Sequence, residues 1–120
     1  MKQRLVVMNG QRIVQKTPPG TESFDAATND VIGKANGLKP GVYNLYSSLS
    51  ADKQQSYSGQ LIHADKESVY QKAGINIIKH NRADFDKVPE IGSVLSVSYN
   101  AQGKAETAAA ALVQGRGLKR

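Results

Sequence analysis

Short β-favouring runs separated by turn residues, about ten residues apart, constrain the fold of this 120-residue chain more than any other feature. The four clearest runs are Tyr57–Ile62, Val69–Gln71, Ile77–His80 and Val94–Tyr99. A polar loop that ends at Gly92 precedes the last run, which is common in small, strongly bent barrels. The sequence therefore predicts a mainly β (α+β) protein built around a small, strongly bent sheet or barrel.

The N-terminal part predicts a hairpin, one helix and one further strand. Asn9-Gly10 separates two apolar runs, and these two residues best tolerate the positive φ angles of a type I′ turn. The segment Ser23–Asn36 predicts a short helix with Asp25 at its start, since Val31, Ile32 and Ala35 form a narrow apolar stripe. After a turn, Val42–Tyr46 has the composition of a strand.

The remaining segments set the expected domain limits. Residues 47–56 are polar and serine-rich and predict a mobile connection, while Arg82–Asp86 predicts one tight turn of helix. The alanine-rich segment Ala105–Val113 predicts a second helix. We expect one small domain over residues 1–113, with an N-terminal part at 1–46 and a β block at 57–107. The basic tail at 114–120 is predicted to be disordered.

The composition limits the cellular compartment and the kinds of catalytic or metal site that we expect. The chain has no cysteine, which removes disulfides, thiolate catalysis and cysteine-based zinc sites. An apolar run of four residues, Leu5–Met8, is too short for a signal peptide, and no run approaches the roughly 20 apolar residues of a membrane span. We therefore expect a cytoplasmic protein without membrane insertion and without a cofactor.

The formal net charge of +6 is concentrated at the two ends of the chain. An excess of this kind can contact nucleic acid or an acidic protein, or can simply keep the protein soluble. The candidate nucleic-acid-binding residues are Lys2, Arg4, Arg12, Lys16, Arg116, Lys119 and Arg120.

Two histidines and one cationic cluster are the remaining candidates for chemistry. His63 and His80 each have an acid nearby, but their spacing matches no metal-ligand motif, so we predict neither a metal site nor a catalytic one, and expect both in exposed turns. The cationic cluster around Lys79 is followed by Asp84 and Asp86, which repel phosphate, so a mixed-sign surface favours a protein partner. The candidate partner-binding residues are Tyr57, Tyr70, Lys79, His80 and Arg82.

Ordered fragments of the β block resemble the KfrB domain of proteins from broad-host-range conjugative plasmids. The fragments are Tyr57-Ser58-Gly59, Val69-Tyr70-Gln71 with Gly74, Lys79-His80, Arg82–Phe85, Val88–Gly92 and Ser98-Tyr99. Arg4–Val14 and Lys39–Tyr46 are also similar to plasmid-encoded proteins of this type. The resemblance implies a plasmid backbone function and supplies no catalytic motif.

The sequence and this resemblance together predict a non-enzymatic, plasmid-encoded accessory protein. It would bind a plasmid or host protein of the maintenance, partition or conjugation machinery, such as a coupling protein or partition factor. A specific form of this hypothesis is fertility inhibition, in which transfer of a co-resident plasmid is blocked. The alternative is a nucleic-acid-binding protein that uses the basic termini and a Tyr/Lys/Arg face. The oligomeric state is left open.

Overall fold

Strands are the main regular structure in the described part of the chain. A computed structural model describes residues 2–21 and 23–109, and in them the chain forms ten strands and three short 3-10 turns. Contacts divide it into two compact units, the first ending at Ser48 and the second beginning at Leu49. The prediction of a mainly β protein is confirmed. The barrel and the short α-helices are wrong for the described residues, because each sheet ends in unpaired edge strands and no α-helix forms.

The first unit is a four-stranded antiparallel sheet in the order β3-β2-β1-β4. Its strands are β1 (Gln3–Met8), β2 (Gln11–Lys16), β3 (Thr28–Lys34) and β4 (Gly41–Tyr43). Asn9 and Gly10 join β1 to β2 with φ angles of 53° and 73°. Both angles are positive, as a type I′ turn requires, so the predicted hairpin is confirmed.

The helix predicted over Ser23–Asn36 is wrong. A single 3-10 turn covers Phe24–Ala26, and Ser23 caps it by accepting a hydrogen bond from the Asp25 amide. The chain then becomes β3, which pairs with β2. The β-branched Val31 and Ile32 favour a strand. The edge of β2 supplies its hydrogen-bond partners, and this long-range pairing cannot be read from local helix propensity.

The second unit is a six-stranded sheet in the order β10-β9-β6-β7-β8-β5. All pairs are antiparallel except β5 with β8, which are parallel. The strands are β5 (Leu49–Ser50), β6 (Tyr57–Ala64), β7 (Ser68–Ala73), β8 (Asn76–Asn81), β9 (Val94–Tyr99) and β10 (Ala105–Ala109).

The alanine-rich segment forms a strand where a helix was predicted. Residues Ala105–Ala109 pair with β9 in the register Ala105↔Tyr99, so the exposed edge of β9 prevails over the helix propensity of alanine. Residues 110–113 of that prediction and the tail at 114–120 lie outside the described residues. The predicted helical turn after β8 is confirmed as a 3-10 turn at Arg82–Asp84.

The main hydrophobic cluster of the second unit lies on one face of its sheet. The buried side chains there are Leu61, Val69, Phe85, Leu95 and Val97. Val88, Ile91 and Tyr99 pack against them from the loop before β9 and from its end. No helix in the described part of the chain has the length and apolar character needed to cross a membrane. The single domain expected over residues 1–113 stays a prediction.

Candidate functional site

A buried glutamine organises the polar interior of the second unit. Gln71 on β7 is fully buried. Its Nε2 donates to the carbonyl oxygens of Tyr57 (3.2 Å), Gly59 (3.2 Å) and Leu95 (3.0 Å). Carbonyl oxygens only accept, so the amide nitrogen must face them. The other amide atom, Oε1, is therefore an acceptor for His80.

This acceptor fixes the tautomer of His80. His80 Nε2 lies 2.9 Å from Gln71 Oε1 and must carry the proton. In the neutral ring Nδ1 is then an acceptor, so the Tyr99 hydroxyl donates to it over 2.6 Å. Burial lowers the pKa of His80 to about 4, against the opposing charge of Asp84. Burial first, then Asp84 and Tyr57, raise the pKa of Tyr99 to about 12.

Glycine at position 59 gives this network room to form. A Cβ at Gly59 would lie 1.8 Å from the backbone oxygen of Lys72 and 3.2 Å from the Cα of Ala73. The closest atoms belong to the backbone of β7, so a rotamer change cannot relieve the clash. Only glycine lets β6 approach β7 this closely, which brings the Gly59 carbonyl to Gln71.

An open pocket of about 580 Å³ lies at the end of this network. His80 and Tyr99 contribute to its wall, together with the end of β8 and the beginning of β7. The charged residues that line it are Lys53, Lys66, Lys79, Glu67 and Asp84, and the small polar ones include Ser50, Ser68 and Asn81. The pocket therefore combines both signs of charge with hydroxyl and amide groups.

Lys53 is fixed in place and its charge is compensated. Its Nζ lies 3.0 Å from Asp84 Oδ2 and donates to the Gly103 carbonyl over 3.1 Å. The same ammonium lies 5.7 Å from the centre of the Tyr99 ring. Asp84 is the more buried partner, with 13% of its side chain exposed against 51% for Lys53. This pair holds one wall of the pocket.

Hydrogen bonds of Asp65 and Arg82 fix the turn that carries Lys66. Asp65 Oδ1 accepts from the amides of Glu67 (2.9 Å) and Ser68 (2.8 Å). The Arg82 guanidinium donates to the Asp65 carbonyl over 2.6 Å, and the Arg82 amide donates to the Glu67 carbonyl over 2.9 Å. Arg82 thus holds the turn before β7 against the end of β8.

The structure distributes the five candidate partner-binding residues between interior and surface. Tyr70 and His80 are buried, with 3% and 0% of their surface exposed. Tyr57 is half-buried and its hydroxyl accepts from the Asp52 amide over 2.8 Å. Lys79 and Arg82 are exposed. Of these five, Lys79 and His80 line the pocket, and Arg82 positions the turn beside it.

The expected exposure of the two histidines is wrong, since both lie buried in strands. His80 pairs with Val69, whereas His63 pairs with Tyr70. Successive residues of β7 point to opposite faces of the sheet. His63 and His80 therefore lie on opposite faces and cannot bind one metal ion together.

The basic residues of the first unit do not form one patch. Arg4 lies on the face that carries Val6, where its guanidinium donates to Gln15 (2.6 Å) and lies 4.1 Å from the centre of the Phe24 ring. Arg12 and Lys16 lie on the other face, which they share with their register partners Val7 and Gln3.

The other members of this candidate set differ in their contacts. Arg12 donates to the Lys34 carbonyl over 2.7 Å, and burial lowers its pKa. Lys2 Nζ lies 4.8 Å from the centre of the Tyr46 ring. Arg116, Lys119 and Arg120 lie outside the described residues.

An apolar row crosses the whole sheet of the first unit. Val42, Val6, Ile13 and Val31 are successive register partners on β4, β1, β2 and β3. Val31 and Val42, at the ends of the row, are 58% and 54% exposed, and Met8 beside Val6 is 46% exposed. Contiguous apolar patches of this kind mark interaction surfaces.

Comparison with known proteins relates the second unit to a family. A family model of the KfrB domain matches residues 56–109. Protein TraB of Escherichia coli is 33% identical over 105 residues, which cover 84% of this chain and 68% of that protein. The matched domain includes every residue of the buried network, from Tyr57 to Tyr99.

Proposed function

Because the chain belongs to the KfrB-domain family, we propose that it is a non-enzymatic accessory protein that binds a protein of the plasmid maintenance, partition or conjugation machinery. The domain match and the similarity to protein TraB point to a plasmid-associated accessory protein.

The main support for the proposal is that the polar residues of the matched fragments have a structural role in the interior. Gln71, His80 and Tyr99 hydrogen-bond to one another in the interior. A general acid or base works best with a pKa near the operating pH and within reach of a substrate. Burial lowers the pKa of His80 to about 4, its two ring nitrogens are both engaged, and none of it is exposed. These properties favour a structural role over catalysis.

The surfaces support a protein partner. The pocket carries three lysines and two acids, and mixed charges suit protein recognition because complementarity fixes register and excludes wrong partners. The exposed apolar row of the first unit offers a further contact area, centred on Val6 and Ile13.

Nucleic-acid binding is less favoured by the same geometry. Arg4 lies on one face of the first sheet, with Arg12 and Lys16 on the other, so these cations cannot follow one phosphate backbone together. Glu67 in the pocket opposes phosphate.

Affinity capture from cells that carry a conjugative plasmid tests the proposal. The tagged protein is recovered with and without nuclease treatment, and we expect the same plasmid-encoded protein in both samples. Recovery that disappears with nuclease would support the nucleic-acid alternative, and recovery of no specific protein would reject the proposal.

A transfer assay tests the form of the proposal in which the protein inhibits fertility. Conjugation frequencies of several co-resident plasmids are measured with and without the gene. Inhibition predicts a lower frequency for at least one of them. Unchanged transfer of all tested plasmids would reject this form while leaving a maintenance or partition role in place.

A further inference from the structure

We propose that the pocket around Lys66, Ser68 and Lys79 binds an acidic segment of the partner protein, with a carboxylate held between the two ammonium groups. This inference rests on the proposed function and adds the chemistry of the partner. It assigns the contact to residues at the beginning of β7 and the end of β8.

Two lysines of the pocket are available for a ligand. Lys53 is already paired with Asp84. Lys66 and Lys79 line the same pocket, and among residues 2–21 and 23–109 their side-chain ammonium groups make no hydrogen bond or ion pair. A carboxylate between them would neutralise charge that the fold leaves uncompensated.

The hydroxyl of Ser68 adds a donor at the same place. Ser68 is only 5% exposed and lines the pocket. Its backbone amide donates to Asp65, but its hydroxyl makes no hydrogen bond within the described part of the chain. A ligand carboxylate could accept from this hydroxyl, since a hydroxyl can donate to a carboxylate.

The acids of the pocket distinguish a peptide from a nucleic acid. Glu67 lies next to Lys66 in the sequence and lines the same pocket. A nucleic acid carries a negative charge at every nucleotide, so its neighbouring phosphates would meet Glu67. A peptide can place one carboxylate at the lysines and a cation or an amide at Glu67. The volume of about 580 Å³ falls within the usual range for sites that enclose a small ligand or a few side chains.

The frame of the pocket is already ordered. Asp65 and Arg82 hold the turn that carries Lys66, and a hydrogen bond joins His80 and Tyr99, which also line the pocket. Binding would therefore cost little ordering of the backbone, which favours affinity.

Fluorescence anisotropy with defined probes tests this inference on the full chain. The probe is a labelled hexapeptide of alternating aspartate and asparagine, compared with its all-asparagine counterpart and with a short oligothymidylate. We expect the acidic peptide to bind, and the double reversal K66E/K79E to weaken it about tenfold or more, since two partly exposed ion pairs become repulsive. S68A should weaken it severalfold.

The matched control is K39E/K87E, which makes the same change in charge at exposed lysines outside the pocket. We expect it to bind the acidic peptide like wild type. Thermal unfolding of every variant verifies that the fold persists. Equal binding of the neutral peptide, equal loss in both double variants, or tighter binding of oligothymidylate would overturn the inference.

The capture experiment separates this inference from the proposed function. If the acidic peptide fails to bind while a plasmid-encoded protein is still captured, the pocket assignment is wrong and the function stands. If no protein is captured, the function itself fails.

Discussion

His80 Nε2 lies 2.9 Å from Gln71 Oε1, and this single contact connects the side-chain bonds of four neighbouring strands. Gln71 on β7 reaches the backbones of β6 and β9, while His80 on β8 reaches Tyr99 at the end of β9. The backbone ladders of the sheet are thus supplemented by a second, buried set of hydrogen bonds. Such networks rigidify a fold when every member is satisfied.

Replacement of Gln71 by leucine should lower the free energy of unfolding by about 2–4 kcal/mol. The change leaves the Nε2–H of His80 buried without its acceptor and removes the contacts of the Gln71 amide nitrogen with three carbonyl oxygens. Urea unfolding at neutral pH measures this. Q54L, at an exposed glutamine, is the control and should change stability by less than about 0.5 kcal/mol. Equal effects of the two substitutions would contradict the structural role of Gln71.

Acidification should destabilise the fold through His80. Burial lowers the pKa of His80 in the folded protein to about 4, whereas an unfolded histidine titrates near pH ~6.5. Between these values the unfolded chain binds a proton that the folded chain does not, so stability falls as the pH drops from about 6.5 to 4. The contribution is fully present above pH ~6.5, and its loss reaches at most about 3 kcal/mol.

Urea unfolding at several pH values measures this window in wild type and in H80Q. Wild type should lose more stability on acidification than the variant, which has no imidazole at this position. Parallel curves would show that His80 does not cause the pH dependence. The NMR titration of the His80 ring gives a second reading, with a neutral ring expected down to pH values close to its lowered pKa.

Asp84→Asn should lower the pKa of Tyr99 from its raised value of about 12. Burial is the largest cause of that value, and the negative charge of Asp84 is the second. The same charge raises the pKa of His80. We therefore expect both pKa values to fall in the variant. The NMR shift of the labelled Tyr99 Cζ, followed against pH, measures the pKa of Tyr99. The control is D86N, which removes an exposed acid. A Tyr99 pKa unchanged in D84N would remove Asp84 as a cause.

The elements that local chemistry determines could be predicted from the sequence. Asn9-Gly10 specifies its turn because both residues tolerate positive φ, and the structure has positive φ at both. The β-favouring runs from Tyr57 to Tyr99 became β6 to β9 with small changes at their ends. In these segments propensity and sheet pairing favour the same conformation.

Pairing between distant segments determined what the sequence could not show. Ser23–Asn36 and Ala105–Val113 have helical patterns, but their described residues include β3 and β10, which complete sheets beside β2 and β9. Part of the candidate site could not be predicted from the sequence, because it also depends on pairing between distant segments. Gln71 and Lys53 have ordinary polar side chains in the sequence, and only the sheet brings them near His80 and Tyr99.

Gly59→Ala tests whether close approach of strands explains the glycine in the Tyr57-Ser58-Gly59 fragment. The added methyl would meet the Lys72 carbonyl oxygen at 1.8 Å, so β6 and β7 must separate. Separation would also lengthen the bond from Gln71 to the Gly59 carbonyl. We expect a loss of about 3 kcal/mol in the free energy of unfolding, the size typical of an overpacked core.

S58A on the same strand is the matched control for G59A. Ser58 is exposed, so its loss should change stability by less than about 0.5 kcal/mol. The side-chain amide signals of Gln71 supply a second measurement, because a shifted β6 alters their hydrogen bonds even where the protein stays folded. Wild-type stability together with unshifted Gln71 signals in G59A would show that β6 and β7 do not need a glycine at this position.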